Sequence, residues 1–314
     1  MHRPPTADLG LIAVAVAAVG VSGPLIAACT APALAIAFWR NVFGTAALSP
    51  AALWRHRAEL RRLCRADLLV AVAGGVALAG HFATWTPSVT MTTVASATAF
   101  VAAQPVFAAL IALARGEQVG RRAWAGISLA LVGVVWLSAA DLRVSGRAFT
   151  GDLLALLAGA LAAVYVTIGA KARQRMELVP YAVICYSTAA LGLGALALCL
   201  GERLTGFSTD DWVKIVALTL GPQLLGHTMY NRVLKTTSPT VLSVAVLLEV
   251  PSAAVIAWLW LGQVPSWLTI PGAVIILAGL VVVATSGTHR RDRDTPRSGP
   301  HHFGEDETVQ VTGQ

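Results

Sequence analysis

Long stretches without a charged residue dominate this sequence and limit what it can fold into. From Leu68 to Ala114 there is no Asp, Glu, Lys or Arg, and from Thr236 to His289 the only one is Glu249. Charged residues make up 12% of the 314 residues, whereas a soluble domain carries about 25%. This excludes a soluble enzyme, a nucleic-acid-binding protein and a disordered chain. Strands of alternating polarity, which mark an outer-membrane barrel, are missing, so we expect an all-α membrane protein.

Turn residues divide the uncharged stretches into segments that match a membrane-spanning helix, which needs about 20 apolar residues. Pro32, Thr86-Pro87-Ser88 and residues 262–266 mark predicted helix ends, because the residue before a proline tends to leave the helical conformation. The ten predicted spans are residues 9–29, 32–54, 67–85, 90–114, 123–140, 151–171, 179–200, 212–230, 239–261 and 267–285.

The distribution of Lys and Arg predicts how these spans are oriented. With both termini in the cytoplasm, 18 of the 23 Lys and Arg residues fall in cytoplasmic segments, and three, Arg143, Arg147 and Arg203, fall outside. Such an excess is typical of cytoplasmic loops. We therefore expect a multi-pass protein of a bacterial plasma membrane, with a short cytoplasmic N-terminus (1–8) and a disordered cytoplasmic tail (287–314).

The chain repeats itself at a distance of 146 residues. The matching pairs are Pro105 and Pro251, Gly116 and Gly262, Gly126 and Gly272, Gly133 and Gly279, and His81 and His227. Because each copy holds five predicted spans, an odd number, the second copy must cross the membrane in the opposite direction. The charges of the loops agree with this inversion, because the basic loop 55–65 corresponds to the mainly acidic segment 201–211. Inverted repeats of this kind recur in secondary transporters.

Several runs of residues resemble the EamA repeat of the drug/metabolite transporter superfamily. The runs in the first copy are 104–110 (QPVFAAL), 116–117 (GE), 124–126 (WAG) and 133–135 (GVV). In the second copy, Glu249-Val250-Pro251 with Gly262 is similar, as is the run 226–231 (GHTMYN). Two departures are Gln263, where the family usually has Glu, and Val250, which separates Glu249 from the proline. The resemblance covers nearly all of residues 9–286.

This resemblance implies ten helices as two inverted five-helix repeats, residues 9–140 and 151–286, around a central cavity. It also implies transport of small metabolites such as amino acids or amphipathic compounds, frequently export. No cofactor is expected. The expected partners are a small-molecule substrate and the lipid bilayer, with protons as a candidate coupling ion and no nucleic acid.

Two charges, Arg40 and Glu249, fall well inside predicted spans and away from their ends, where a charge costs about 2.5–3.5 kcal/mol at the bilayer centre. Burial favours the neutral form of Glu249, so this acid could carry a proton or bind an amine. It could equally stabilise the break at Pro251. Arg40 could bind a substrate anion or pair with Glu249. It could also reach the outer headgroups or form a purely structural ion pair.

The histidine pair suggests two gates. His81 has Trp85 about one turn on, and His227 has Tyr230 and Asn231, which places each set on one helix face. For each histidine taken alone, the sequence favours a packing role. Gln104 precedes Pro105 and could line the cavity or bond to backbone freed by the proline. The substrate pathway predicted from the sequence is therefore Arg40, His81, Trp85, Gln104, His227, Tyr230, Asn231 and Glu249.

The leading hypothesis is a secondary transporter, an exporter that is proton-coupled or passive and works by alternating access. No phosphate-binding loop of a nucleotide-driven pump is present. An intramembrane enzyme acting on lipid or peptide and a membrane scaffold or sensor are the alternatives. The sequence has no nucleophile motif and no His-Glu-x-x-His, and its four cysteines have no metal-binding spacing. We therefore expect neither an enzyme nor a metal site.

Overall fold

The computed structural model describes residues 6–226 and 247–286, apart from the side chains of residues 6–9 and 144, and all regular structure in these ranges is helical. Thirteen α-helices and one π-helix, π1, follow in chain order. They are α1 (Thr6–Gly20), α2 (Ser22–Ala28), α3 (Ala33–Trp54), α4 (Arg57–Arg62), α5 (Arg65–Met91), α6 (Val94–Val101), α7 (Gln104–Ala114), α8 (Arg121–Val144), α9 (Gly146–Ala172), α10 (Leu178–Cys199), α11 (Thr209–Leu218), π1 (Thr219–Gly226), α12 (Glu249–Leu261) and α13 (Thr269–Thr285).

Six helical stretches are long and apolar enough to cross a bilayer. They are Gly10–Ala28, Arg65–Met91, Val94–Ala114, Arg121–Arg143, Gly146–Ala172 and Leu178–Cys199. Helices α12 and α13 are apolar but shorter. Large apolar side chains such as Leu69, Val135, Leu191 and Leu259 are exposed on the outside of the helices. An apolar outer surface of this kind suits contact with lipid rather than water.

The predicted helix end at Thr86-Pro87-Ser88 is wrong. Helix α5 continues through Pro87 to Met91, and the chain turns only at Thr92, which has an extended backbone. A proline removes one backbone hydrogen bond, but membrane helices tolerate it where hydroxyl groups bond to nearby carbonyls. Here the hydroxyl groups of Ser88 and Thr90 donate to the carbonyl oxygens of Trp85 and Pro87.

Both copies of the repeat contain a helix break at the same place. The helix of the first copy is interrupted at Ala102–Ala103, and α12 of the second begins directly after a turn at Leu248, which is 146 residues from Ala102. Two to three residues later come the prolines of the repeat, Pro105 and Pro251. A proline cannot bond to the carbonyl four residues before it, which explains why the helix loosens just ahead of each proline.

Glycines at the ends of the broken helices are also equivalent. Gly116 follows α7 with a φ of 78°, and Gly262 follows α12 with a φ of 66°. This left-handed conformation is the usual way to end a helix, and glycine adopts it without steric cost. The repeated Gly116 and Gly262 are therefore helix-terminating residues.

Helices α8 and α13 cross at the four repeated glycines. A Cβ on Gly126 would lie 2.7 Å from the carbonyl oxygen of Gly279, and one on Gly133 would lie 2.9 Å from that of Gly272. Because Gly126 corresponds to Gly272 and Gly133 to Gly279, the two contacts are related by the repeat. Small residues allow the backbones of membrane helices to approach this closely.

The remaining packing follows the same symmetry. Helix α5 packs along α9, and the equivalent pair α1 and π1 is also in contact. Helix α3 packs against α10, its counterpart in the second copy. The buried interior is thus shared by both copies, and it includes polar residues from each.

Candidate functional site

A buried cation lies between the two copies of the repeat. Arg40 is on α3, about 10 Å along the helix from its first residue, and only 3% of it is exposed. Its Nε donates a 2.9 Å hydrogen bond to Oε1 of Gln223 on π1. The contact joins residues 183 positions apart in the chain, so the tertiary fold alone creates it.

Aromatic rings border the guanidinium group. Its central carbon lies 4.3 Å from the centre of the Phe82 ring on α5, which is close enough for a cation–π interaction. Tyr186, on α10 and also buried, interacts electrostatically with Arg40 and Gln223. Four helices therefore position this site, which we call the Arg40 site and define as Arg40, Phe82, Tyr186 and Gln223.

The π-helix explains how Gln223 reaches Arg40. Thr219 and Gln223 are buried on π1, which contains Pro222. The hydroxyl group of Thr219 donates to the carbonyl oxygens of Ile215 and Arg40, at 3.0 Å and 3.4 Å. π-helical turns are rare and are found frequently at functional sites. The turn therefore anchors π1 to α3 beside the guanidinium group.

A glycine on α3 makes room for the glutamine. A Cβ on Gly44 would lie 2.6 Å from Nε2 of Gln223 and 3.2 Å from Cδ2 of Tyr186. The Gln223 side chain therefore lies directly against the backbone of α3. Any larger residue at position 44 would displace it from its contact with Arg40.

The pattern of the EamA-like transporter family matches residues 7–139 and again residues 149–285. The chain belongs to the EamA-like transporter family. The family match and the helices that are apolar enough to cross a bilayer show that it is a multi-pass membrane protein. Its two matched regions are the two copies of the repeat.

Two relatives are similar to this chain over part of their length. The uncharacterized transporter YdfC of Bacillus subtilis (strain 168) is 24% identical over 187 residues, which is 59% of this chain and 60% of that protein. An uncharacterized transporter of Archaeoglobus fulgidus is 26% identical over 202 residues, covering 63% of this chain and 69% of that one. The alignment thus spans less than two thirds of the YdfC sequence.

A solved crystal structure is similar in fold. The two structures superimpose with a TM-score of 0.62 at 20% identity, over 91% of this chain and 99% of the other. At this level of identity the likeness concerns the fold alone.

The other site residues predicted from the sequence lie on different elements. His81 is half-buried, and its Nδ1 lies 2.9 Å from the carbonyl oxygen of Ala158 on α9, so an Nδ1–H group donates there. Trp85 is buried in the core. Gln104 and Glu249, both half-buried, are the first residues of α7 and α12, directly after the two helix breaks. His227, Tyr230 and Asn231 lie outside the described residues.

The sequence indicated Arg40 but did not indicate its neighbours in the structure. Phe82, Tyr186 and Gln223 are not distinctive in the sequence, because aromatic and amide side chains also serve in ordinary packing. The sequence offered one clue to Gln223, because this glutamine is next to a proline, Pro222, within an uncharged stretch. Gln104 is likewise next to a proline, Pro105, in the first copy.

Buried carboxyl groups extend the set of charges expected inside the membrane. Besides Arg40, the structure buries Asp141 near the end of α8 and Asp152 near the start of α9. Thr92 donates a 3.4 Å hydrogen bond to Asp141, and Asp152 interacts electrostatically with Asp141.

A further set of polar contacts joins the two copies near α2 and α11. The backbone N–H and hydroxyl groups of Thr30 donate to the two carboxylate oxygens of Asp211 at 2.8 Å and 2.7 Å. Ser208, which caps α11, donates to the same carboxylate. Lys214 donates to the carbonyl oxygen of Ala28 and pairs with Asp210. This set of bonds ties the chain after α2 to the start of α11.

Charged loops form a further contact between the copies. His56, at the start of α4, lies 3.2 Å from a carboxylate oxygen of Glu177 and 3.6 Å from one of Glu59. These three side chains are the one group in the described ranges that could hold a metal ion. Each is at least partly exposed, and His56 and Glu59 already serve as partners of Glu177. We therefore interpret the group as a contact between loops.

Proposed function

We propose that the protein is a secondary transporter that exports a small metabolite, an amino acid or an amphipathic compound, by alternating access. The observation that supports this is the Arg40 site, where a buried hydrogen bond joins α3 of the first copy to π1 of the second. Inverted repeats around a shared central site can rock against each other and expose that site to one side of the membrane at a time.

The proposed architecture has ten spans, with a first repeat at 9–140, a second at 151–286, a short N-terminus at 1–8 and a tail at 287–314. Both termini are cytoplasmic, in a bacterial plasma membrane. Support comes from the excess of Lys and Arg in the segments that this arrangement assigns to the cytoplasm.

Cysteine labelling tests this orientation. In a variant whose other cysteines are replaced by serine, Arg203→Cys should react with a membrane-impermeant maleimide added outside the cell. The native, exposed Cys64, retained alone in a second variant, is the matched control and should react only after the membrane is opened. Reaction of position 203 only from the cytoplasm contradicts the arrangement.

The proposed substrate pathway comprises Arg40, His81, Trp85, Gln104, His227, Tyr230, Asn231 and Glu249. Glu249 is proposed as the proton carrier, because it is half-buried at a helix break that has a counterpart in the first copy. Glu249→Gln should then remove the dependence of flux on a pH gradient. Glu117→Gln, which changes an exposed acid after α7, is the control and should leave that dependence intact.

The transport function is tested with purified protein in liposomes. The liposomes are incubated with a small-molecule extract of bacterial cells, and the compounds taken up are identified by mass spectrometry. We expect several compounds to accumulate faster than in protein-free liposomes. Equal accumulation in both would contradict the proposed function.

A further inference from the structure

The charge of Arg40 has no counter-ion in the part of the chain that the structure describes. The four ion pairs formed there do not include it, and no acidic group interacts with it electrostatically. The segment between residues 226 and 247 contains no Asp or Glu. Burying a charge without an opposite charge is costly, and a hydrogen bond to a neutral amide and one aromatic ring offset only part of that cost.

Two hydrogen-bond donors at the site have no partner in the part of the chain that the structure describes. Nη1 of Arg40 and Nε2 of Gln223 are both buried, and neither has an acceptor among the described residues. The orientation of the Gln223 amide group is fixed, because its oxygen accepts a hydrogen bond from Nε of Arg40. The site therefore presents a positive charge and two N–H groups that have no acceptor among the described residues, which together complement an anion.

A carboxylate fits this set of donors, because a guanidinium group typically binds a carboxylate through two parallel hydrogen bonds. At this site Nη1 of Arg40 is a donor from the first copy, and Nε2 of Gln223 is a donor from the second. An anion bound there would contact α3 and π1 together, so it would sense any movement of one copy against the other.

We infer that the Arg40 site binds the carboxylate of the substrate, so that the transported compounds are small organic acids, amino acids included. This inference rests on the proposed transport function and names the chemical class of its substrate. Gln223 orients the guanidinium group and donates the second hydrogen bond, and Phe82 covers one face of the guanidinium.

The liposome experiment is extended by chemical modification of the extract. Converting its carboxylates to methyl esters should reduce the uptake of the affected compounds about ten- to a hundredfold, as expected for the loss of a charge-assisted hydrogen bond. Equal uptake of acids and esters, or preferential uptake of phosphate esters, would overturn the carboxylate assignment and leave the transport function intact. No uptake of any compound would instead contradict the transport function.

Two variants separate binding from folding. Arg40→Gln should lose uptake of carboxylates by the same factor while the melting temperature of the substrate-free protein stays equal or rises, because a buried charge without a counter-ion is removed. Gln223→Glu places a carboxylate beside Arg40 and should raise the melting temperature while it blocks uptake of acids. A structural role of Arg40 predicts the opposite for Arg40→Gln: a lower melting temperature with unchanged selectivity for acids over esters.

Discussion

Nε of Arg40 and Oε1 of Gln223 are 2.9 Å apart, and this hydrogen bond connects the first copy of an inverted repeat to the second in the interior of the protein. Neither residue is the counterpart of the other, since Gln223 is 183 positions away and not 146. The site is therefore asymmetric within a symmetric arrangement of helices. An asymmetric site suits a transporter, because the two ends of a substrate differ.

Gly44→Ala should disrupt the Arg40 site with little effect on folding. The added methyl group would come within 2.6 Å of the amide nitrogen of Gln223, and this flexible side chain would have to turn away. Alanine is favoured over glycine within a helix by about 1 kcal/mol, which offsets the strain. We expect transport to fall several-fold at an unchanged melting temperature. Gly192→Ala, where the new methyl would meet only Ala79 at 3.4 Å, is the control and should transport normally.

Gly279→Ala should destabilise the crossing of α8 and α13. Its methyl group would lie 2.5 Å from the backbone nitrogen of Ala130 and 2.7 Å from the carbonyl oxygen of Gly126. Backbone atoms cannot move aside as a flexible side chain can, so we expect a loss of about 1–3 kcal/mol in the free energy of unfolding. Thermal unfolding in detergent measures this. A melting temperature equal to that of the unchanged protein would show that the helices separate easily.

Gln263→Ala should weaken the start of α6, whereas Gln263→Glu should not. Oε1 of Gln263 accepts a 3.1 Å hydrogen bond from the backbone N–H of Val94, the first residue of α6. Losing a side-chain acceptor at a helix N-terminus costs about 1 kcal/mol, while glutamate keeps the acceptor and adds a charge that the helix dipole favours. Hydrogen exchange at the first turn of α6 distinguishes the two variants. Equal exchange rates in both would refute the capping role.

Asp211→Asn should destabilise the protein more than the neighbouring change Asp210→Asn. Asp211 is buried and accepts hydrogen bonds from Thr30 and Ser208, and a bond to a charged group contributes about 1.5–3 kcal/mol. Asp210 is exposed and pairs only with Lys214 among the described residues, and such a surface pair contributes about 1 kcal/mol at most. Unfolding curves of both variants test the difference, and equal losses would contradict it.

The sequence predicted the helices more accurately than their ends. The predicted spans 32–54 and 179–200 correspond to Ala33–Trp54 and Leu178–Cys199, because long apolar runs between charged loops leave little choice. The end at Pro87 was wrong, since a proline near a helix end is tolerated when hydroxyl groups bond to nearby carbonyls. Within the span 90–114 the sequence predicted a kink or break at Pro105, and the helix is interrupted just before that proline, at Ala102–Ala103.

What the sequence by itself determined is the class of the protein. The uncharged segments, the loop charges and the repeat at 146 residues follow from composition and spacing, and together with the motif at Pro105 they identified the family. The partners of Arg40 were decided only by the tertiary structure. Gln223, Tyr186 and Phe82 are distant in sequence and chemically ordinary, and they become a site only because packing of α3 against π1, α10 and α5 removes water from around one guanidinium group.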